Sequence, residues 1–552
     1  MLRLLCVTGG ILLIAGGISA HNAPIASGEQ PLVQLKTSSE NDSQSLIEVG
    51  LSLEESKHWG DAIHHYESGL RKHVGNATMK QRLLICRLHY DVMRRYQDPS
   101  FLQSIQETPT HQSLDLYAEM LSNIETHYVD GIDWTKIVRH GSASLEVALT
   151  EPAFIKHLLP NASPEAIESF RQNVHTHVIH RVVKSRHDLR ATAAVVAGLA
   201  KDELGLVGTA TVMEFACGAL SALDTYSRFL TPGQLDETFS SIEGNFVGLG
   251  VELKAAGDRL MILSVIANGP AAQAGLVAGD AITRVAGTST SEVNPDFAAD
   301  LLRGPEGSMV EVAVVKADGT QRMVQVQRRR VDVPCVENVH IVDTDAGIGY
   351  LRLTNFQKTT TREIEKALWD LHRMGMKSLV IDVRGNPGGL LSAAVEVADR
   401  FLPSGRIVTT RGRNVRENFD YSAHRPNTWN VPLAVLIDSD SASASEIFAG
   451  AIHDHGRGRL VGEKSYGKGS VQGIFRMQTV KCGLCLTTAK FYSPSGLGIS
   501  DRGVQPDVAV ESTYIAARPN SKGEITLDRD DQVLQRAVQT IRSEARLSSL
   551  PR

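Results

Sequence analysis

Two short stretches of this chain hold residue types that could do covalent chemistry. The first, SASASEIFAGAIHDH over 441–455, alternates serine and alanine just ahead of a helix-like run. The second, EKSYGKGSVQ over 463–472, sets Lys468 between two glycines. A serine where a helix begins lies beside backbone N–H groups that have no intrahelical acceptor and can stabilise an oxyanion. Helix capping is the competing role, because serine is common at that position. A lysine buried without a carboxylate partner is destabilised in its charged form. Its pKa falls, and the neutral amine can then take a proton from a serine hydroxyl. Lys468 follows Ser443 by 25 residues, and Gln472 follows four residues later. A neutral amide there could orient the amine without holding it charged. A Walker-type phosphate loop is excluded, since Ser470 does not directly follow Lys468. A surface lysine in a glycine turn is the plain alternative.

The surrounding sequence supplies elements able to position these groups. GYLRLTNF, SLVIDVRG and PLAVLID read as strands, while TREIEKALWDLHRMG and LLSAAVEVADRFL read as helices. Their alternation over 331–515 predicts an α/β core. Residues 241–330 alternate apolar and polar positions between glycine turns, which predicts a small β-rich domain with two short helices. Helical patterns fill 106–240. Over 46–105, Trp59, Ala62, Ile63, Tyr66 and Leu70 at three-to-four spacing predict a helical hairpin similar to a tetratricopeptide unit. Residues 21–45, rich in Ser, Gln, Asn and Thr, read as a linker. Residues 516–552 read as a final helix and tail. The predicted fold class is multidomain α+β.

The first 20 residues, MLRLLCVTGGILLIAGGISA, carry one early arginine, an uncharged apolar stretch and small residues up to Ala20. That is the pattern of a secretory leader, either cleaved after Ala20 or retained as a membrane anchor. An exported, periplasmic or other extracytoplasmic location is expected, with a membrane tether in the second case. A net charge of −5 over 552 residues gives nucleic acid no electrostatic footprint. Beyond Cys6 the chain has Cys86, Cys217, Cys335, Cys482 and Cys485, too few and too scattered for a disulfide scaffold. CGLC at 482–485 has no second pair to make a zinc ribbon. It reads as a strand or hairpin position, or as a local disulfide.

The two stretches together, SASASEIFAGAIHDHGR and then VGEKSYGKGSVQ, resemble the C-terminal processing peptidases, or tail-specific proteases. These are serine endopeptidases with a Ser-Lys pair usually supported by a glutamine. The resemblance implies Ser443 as nucleophile, in preference to Ser441 or Ser445, Lys468 as general base and Gln472 as support. IDVRGNPGGLLSAA resembles the family's glycine-rich turn, which implies an oxyanion hole made by the N–H of Ala444 and that of Gly388 or Gly389. A tight strand-to-helix turn would suit the same glycines. LDTYSRFLTP is similar to the family's LDPxS-type segment, with Thr225 where proline is usual, and FYSPSGLGISDRGVQPDVAV resembles its closing strands. GNFVGLGVEL followed by GPAAQAGLVAGDAITRVAGT resembles a PDZ domain. Such a domain adds a chain end to a sheet edge and captures its carboxylate on backbone N–H groups, here those of Val247, Gly248, Leu249 and Gly250.

The resemblance implies an exported endopeptidase acting on protein substrates with free C-termini, without metal or cofactor. The amino-terminal hairpin lies outside the resemblance and could hold a protein partner. The competing reading is a catalytically silent PDZ scaffold that binds protein C-termini. An intact Ser, Lys and Gln set argues for the enzyme.

Overall fold

A computed structural model describes residues 2–3 and 32–548, apart from 257–258, 292–297, 300, 317, 425, 427, 501 and 512–530. The expected leader at 1–20 lies almost wholly outside the described residues. Among those described, no helix is long and apolar enough to cross a membrane. The chain forms two compact units, one of residues 32–233 with 473–487 and one of residues 234–472 with 488–548.

The first unit is helical. Its opening helix, Leu32–Glu55, begins inside the stretch expected to be a linker. Ser, Asn and Thr weaken a helix by only tenths of a kcal/mol each, on the order of 0.5. Packing downstream outweighs that: Ile47 joins Trp59, Tyr66, Met79 and Leu83 in one apolar cluster. The hairpin Trp59–Lys72 and Ala77–Gln97 forms as expected. It packs on the neighbouring helices, as a single hairpin must. Val92 and Tyr96, on its second helix, belong to the larger core that includes Phe101, Leu116, Phe154 and Phe215. Two helices cannot bury their own apolar faces, so the hairpin shares its neighbour's core. Glu214 is fully buried there and accepts hydrogen bonds from Arg95, Tyr96 and Ser144.

In the second unit, a two-stranded ribbon of β1 (Asn245–Gly248) and β7 (Arg329–Asp332) leads into and out of the small β domain. Strands β2 (Val251–Ala256), β3 (Arg259–Val265), β4 (Ala281–Val285), β5 (Met309–Val315) and β6 (Gln321–Gln327) lie side by side in that order, so β2 is an edge. The larger sheet runs β8 (Val336–Asp343), β9 (Ile348–Leu353), β10 (Ser378–Asp382), β11 (Leu433–Ile437), β12 (Arg459–Gly462) and β13 (Val508–Ala509). Only the β8–β9 pair is antiparallel. Helices α1 (Thr360–Arg373), α2 (Leu391–Ala398) and α3 (Ala444–Asp454) join successive parallel strands, as parallel pairing requires. Every residue of β10 and β11 is buried, which is why β11 reads as an unbroken apolar run and β10 as Leu-Val-Ile between Ser378 and Asp382. A last helix, α4 (Gln532–Ser548), lays Val533, Leu534, Ala537 and Ile541 against Tyr350, Val380, Leu436 and Val461.

Candidate active site

The loops leaving the carboxyl ends of three adjacent parallel strands carry the residues singled out from sequence. This is where open α/β sheets place ligands. The turn after β10 holds Gly388 and Gly389, the turn after β11 holds Ser443, and the loop after β12 holds Lys468.

Ser443 has φ +66°, the left-handed region that a residue with a Cβ rarely adopts. Holding it there costs on the order of 1–3 kcal/mol. Its side chain is fully buried, and Oγ has no hydrogen-bond partner. The two neighbouring serines differ. Ser441 Oγ donates to the Val383 carbonyl at 2.8 Å, and Ser445 Oγ donates to the Asn386 carbonyl at 2.9 Å. Of the three hydroxyls, only the middle one is left without a bond. Ser443 and Glu446 occupy the N-cap and N3 places of a capping box. The Glu446 carboxylate accepts the Ser443 N–H at 2.6 Å. The hydroxyl comes near the N3 backbone without hydrogen-bond geometry, so it does not serve as a cap.

Glu446 was not among the expected site residues, yet it organises the site. Besides the Ser443 N–H, it accepts Ser465 Oγ–H at 2.6 Å, the Gly467 N–H at 2.6 Å and the Lys468 N–H at 2.9 Å. Ser443 and Lys468 bind the same oxygen, Oε2. Burial raises the Glu446 carboxyl above its ordinary pKa, while the four donors pull it back down. Lys468 itself is buried, with 7% of its surface exposed. Gln472 is fully buried on the strand Ser470–Arg476, and its Nε2 donates to Ser470 Oγ at 2.9 Å.

The glycine turn is brought against Ser443. Gly388 has φ +110°, and a Cβ on it would fall 2.8 Å from Ser443 Cβ and 2.9 Å from Ala444 N. Ala444 is the first residue of α3, where a backbone N–H has no intrahelical acceptor. Of the two candidate glycines, Gly388 is the one beside Ala444. The close approach of Gly389 is to the Phe356 carbonyl, with which a Cβ there would collide. In this conformation the Gly388 N–H donates to Asn386 Oδ1 at 2.9 Å. Asn386 also donates to the Leu353 carbonyl, and its own carbonyl accepts the Ala442 N–H at 3.0 Å. One residue thus links the glycine turn to the serine turn. Asp438, at the end of β11, accepts the N–H groups of Gly385 and Ser441, and burial pushes its carboxyl up. Arg384, 2% exposed, lies between Asp382 and Asp531 and fixes the glycine turn to the start of α4.

At the β-rich domain the expected capture loop is only partly a loop. Val247 and Gly248 pair with Arg330 and Arg329 in the ribbon, because the chain is still extended there. Leu249 is buried in the domain core, and Gly250 turns the chain at φ +77° into β2. Their carbonyls accept the N–H groups of Ala271 and Ile266. The open edge of β2 leaves room for an added strand. Cys482 and Cys485 are buried and not disulfide-bonded, as are Cys86, Cys217 and Cys335, so CGLC, entering the strand Gly483–Tyr492, holds no local disulfide. Among the described residues, no group of three His, Cys, Asp or Glu could hold a metal ion.

Comparison with known proteins places this geometry in context. The family model described as Peptidase family S41 matches residues 347–510, and a PDZ domain model matches 261–316. The carboxy-terminal-processing protease of Bartonella bacilliformis is 37% identical over 300 residues, which cover 53% of this chain and 68% of that protein. The carboxyl-terminal-processing protease of Synechocystis sp. is 33% identical over 320 residues, covering 57% and 73%. Among solved structures, the photosystem II D1 C-terminal processing protease is 26% identical with a TM-score of 0.43, over 76% of this chain and 99% of that one.

Proposed function

The chain belongs to peptidase family S41, among the carboxy-terminal-processing proteases, and from that premise we propose that this PDZ-bearing serine-type peptidase cleaves with Ser443 and Lys468. Ser443 Oγ attacks the scissile carbonyl carbon while the neutral Lys468 amine takes the hydroxyl proton. The carbonyl oxygen gains the electron pair and rests on backbone N–H groups of Ala444 and Gly388. Collapse expels the amine half of the substrate, which takes the proton from Lys468. Water, deprotonated by the same amine, then splits the ester to free the acid and restore Ser443. Gln472 steadies the amine without holding it charged.

One observation carries this reading. Glu446 Oε2 ties the backbones of Ser443 and Lys468 together, and Ser443 is the one serine of the three whose hydroxyl is not already bonded. Since Oγ makes no hydrogen bond in this conformation, Lys468 Nζ must close on it as substrate binds. The Gly388 N–H must likewise leave Asn386 for the oxyanion. The PDZ domain would hold the C-terminal segment of an unfolded substrate along β2, delivering the chain to the site. Export through the leader at 1–20, with or without its retention as a tether, belongs to the same reading.

Single alanine variants at Ser441, Ser443 and Ser445 test it, assayed on a quenched peptide with a free C-terminus. Only Ser443→Ala should remove turnover entirely while leaving the circular dichroism spectrum unchanged. Turnover in Ser443→Ala would refute the assignment.

A further inference from the structure

Two large side chains stand open to solvent, Tyr466 between the buried residues Ser465 and Gly467, and Leu497 on the exposed turn 495–497. Tyr466 is 50% exposed and Leu497 is 57% exposed, whereas Ser465, Lys468 and Ile499 are buried. The position of Tyr466 is imposed by its neighbours. Its N–H donates to the Ser441 carbonyl at 3.0 Å. On either side, Ser465 Oγ–H and the Gly467 N–H are held by Glu446. These bonds fix the backbone from which the ring projects.

The loop bearing Leu497 is fastened to the same segment. The Val504 N–H donates to Ser465 Oγ at 2.6 Å, and the Ser465 N–H donates to the Val504 carbonyl at 3.1 Å. A Cβ on Gly469 would collide with Ser500 N, so the two loops abut with no room for a side chain. Tyr466 therefore sits two residues from the proposed base, hydrogen-bonded to the residue two before the proposed nucleophile. Nothing in the proton-transfer chemistry uses its ring. A large apolar group locked in the open beside reacting atoms is arranged to meet something that arrives.

We propose that Tyr466 is a specificity-determining residue. Its ring takes an apolar side chain of the extended peptide next to the scissile bond. The proposal rests on Ser443 and Lys468 being the catalytic pair. It also names a substrate class for that site: chains with an apolar residue flanking the cleaved bond, in addition to whatever the PDZ domain selects at the chain end.

The test uses the full chain and a set of quenched peptides with one common C-terminus. They differ by Leu, Ala, Glu or Lys at each position within two residues of the cleaved bond. At one of these positions the wild type should prefer Leu to Glu. Tyr466→Ala should raise KM for the Leu peptide by about tenfold, the scale of one lost apolar contact, and flatten the preference, with kcat held within about twofold. Tyr466→Phe, which keeps the ring, should restore both KM and preference. If Tyr466→Ala leaves KM and preference unchanged, or lowers kcat alone, the subsite assignment is wrong while the catalytic pair stands. Turnover that persists in Ser443→Ala would instead remove the reading on which the subsite rests. A thermal unfolding midpoint matching wild type guards each variant against misfolding.

Discussion

The backbone N–H groups of Ser443 and Lys468 donate to one and the same oxygen, Oε2 of Glu446, at 2.6 and 2.9 Å. The two backbone nitrogens therefore lie no further apart than those two bonds laid end to end. A fully buried carboxylate placed between the turn after β11 and the loop after β12 sets the spacing of the proposed catalytic pair.

Glu446→Gln should separate this positioning role from simple packing. The substituted amide has nearly the same volume, but it offers one acceptor oxygen and a donor NH2 where four donors converge. At least one Ser443, Gly467 or Lys468 N–H then loses its partner. Bonds to a charged group are worth about 1.5–3 kcal/mol each. Turnover should fall at least about a hundredfold, the scale of losing one aligned polar contact in an active site. The unfolding free energy should drop by about 2–4 kcal/mol. Steady-state kinetics and urea unfolding on the same sample measure both; near-normal kcat in the variant would contradict the positioning role.

Gly388→Ala should be damaging for a different reason. The new Cβ would lie 2.8 Å from Ser443 Cβ at a φ of +110° that alanine resists. The turn must then shift away from Ala444, taking its N–H out of oxyanion range. A kcat loss of about 10²–10³-fold is expected, as for deleting one oxyanion donor, with KM much less affected. A variant retaining more than about a tenth of wild-type kcat would place the oxyanion elsewhere.

How far the sequence disclosed this site depends on the range of each interaction. The strand-turn-helix around Ser443 follows from local pattern, whereas the roles given to Ser443, Lys468 and Gln472 rest on the resemblance of their two motifs to the family. Glu446 lies within the same serine-rich motif, and an acid three residues after a serine at a helix start is a visible capping signal. Its bonds to Ser465, Gly467 and Lys468 are long-range contacts that no local pattern encodes. Asn386 is a similar case, since the glycines around it draw attention first. The helix at Leu32 escapes a local reading because tertiary burial outweighs weak local preference. The ribbon that takes up Val247 and Gly248 is hidden because its partner strand lies some eighty residues further along the chain.

Proton linkage at Asp438 has a definite sign. Burial raises its carboxyl above the ordinary value. The folded chain binds this proton more tightly than the unfolded chain, so the contribution of Asp438 to stability is greatest below the ordinary carboxylate range, about pH 4. That contribution is lost as pH rises through the raised value. Asp438→Asn should thus make the slope of stability against pH more positive above about pH 4 than in wild type. Urea midpoints at a series of pH values report it, and an unchanged or more negative slope would contradict the assignment.

The buried thiols should be silent in the native enzyme. Burial pushes Cys86, Cys217 and Cys335 to about 12 and raises Cys482 further. Since the thiolate is the reactive form, iodoacetamide near pH 8 should label none of these four until denaturant is added. Rapid native labelling at any of them, located by peptide mapping, would show that its surroundings open.

The central claim is that Ser443 becomes acylated with Lys468 taking its proton, and trapping the acyl-enzyme tests it most directly. The enzyme is mixed with a peptide p-nitrophenyl ester, quenched within the first turnover and digested for mass mapping. The acyl group should appear on Ser443 in wild type, and its rate of appearance should fall as pH is lowered and the Lys468 amine gains a proton. In Lys468→Ala the adduct should form at least about a hundredfold more slowly. An adduct on Ser441 or Ser445, or undiminished acylation of Ser443 in Lys468→Ala, would contradict the account.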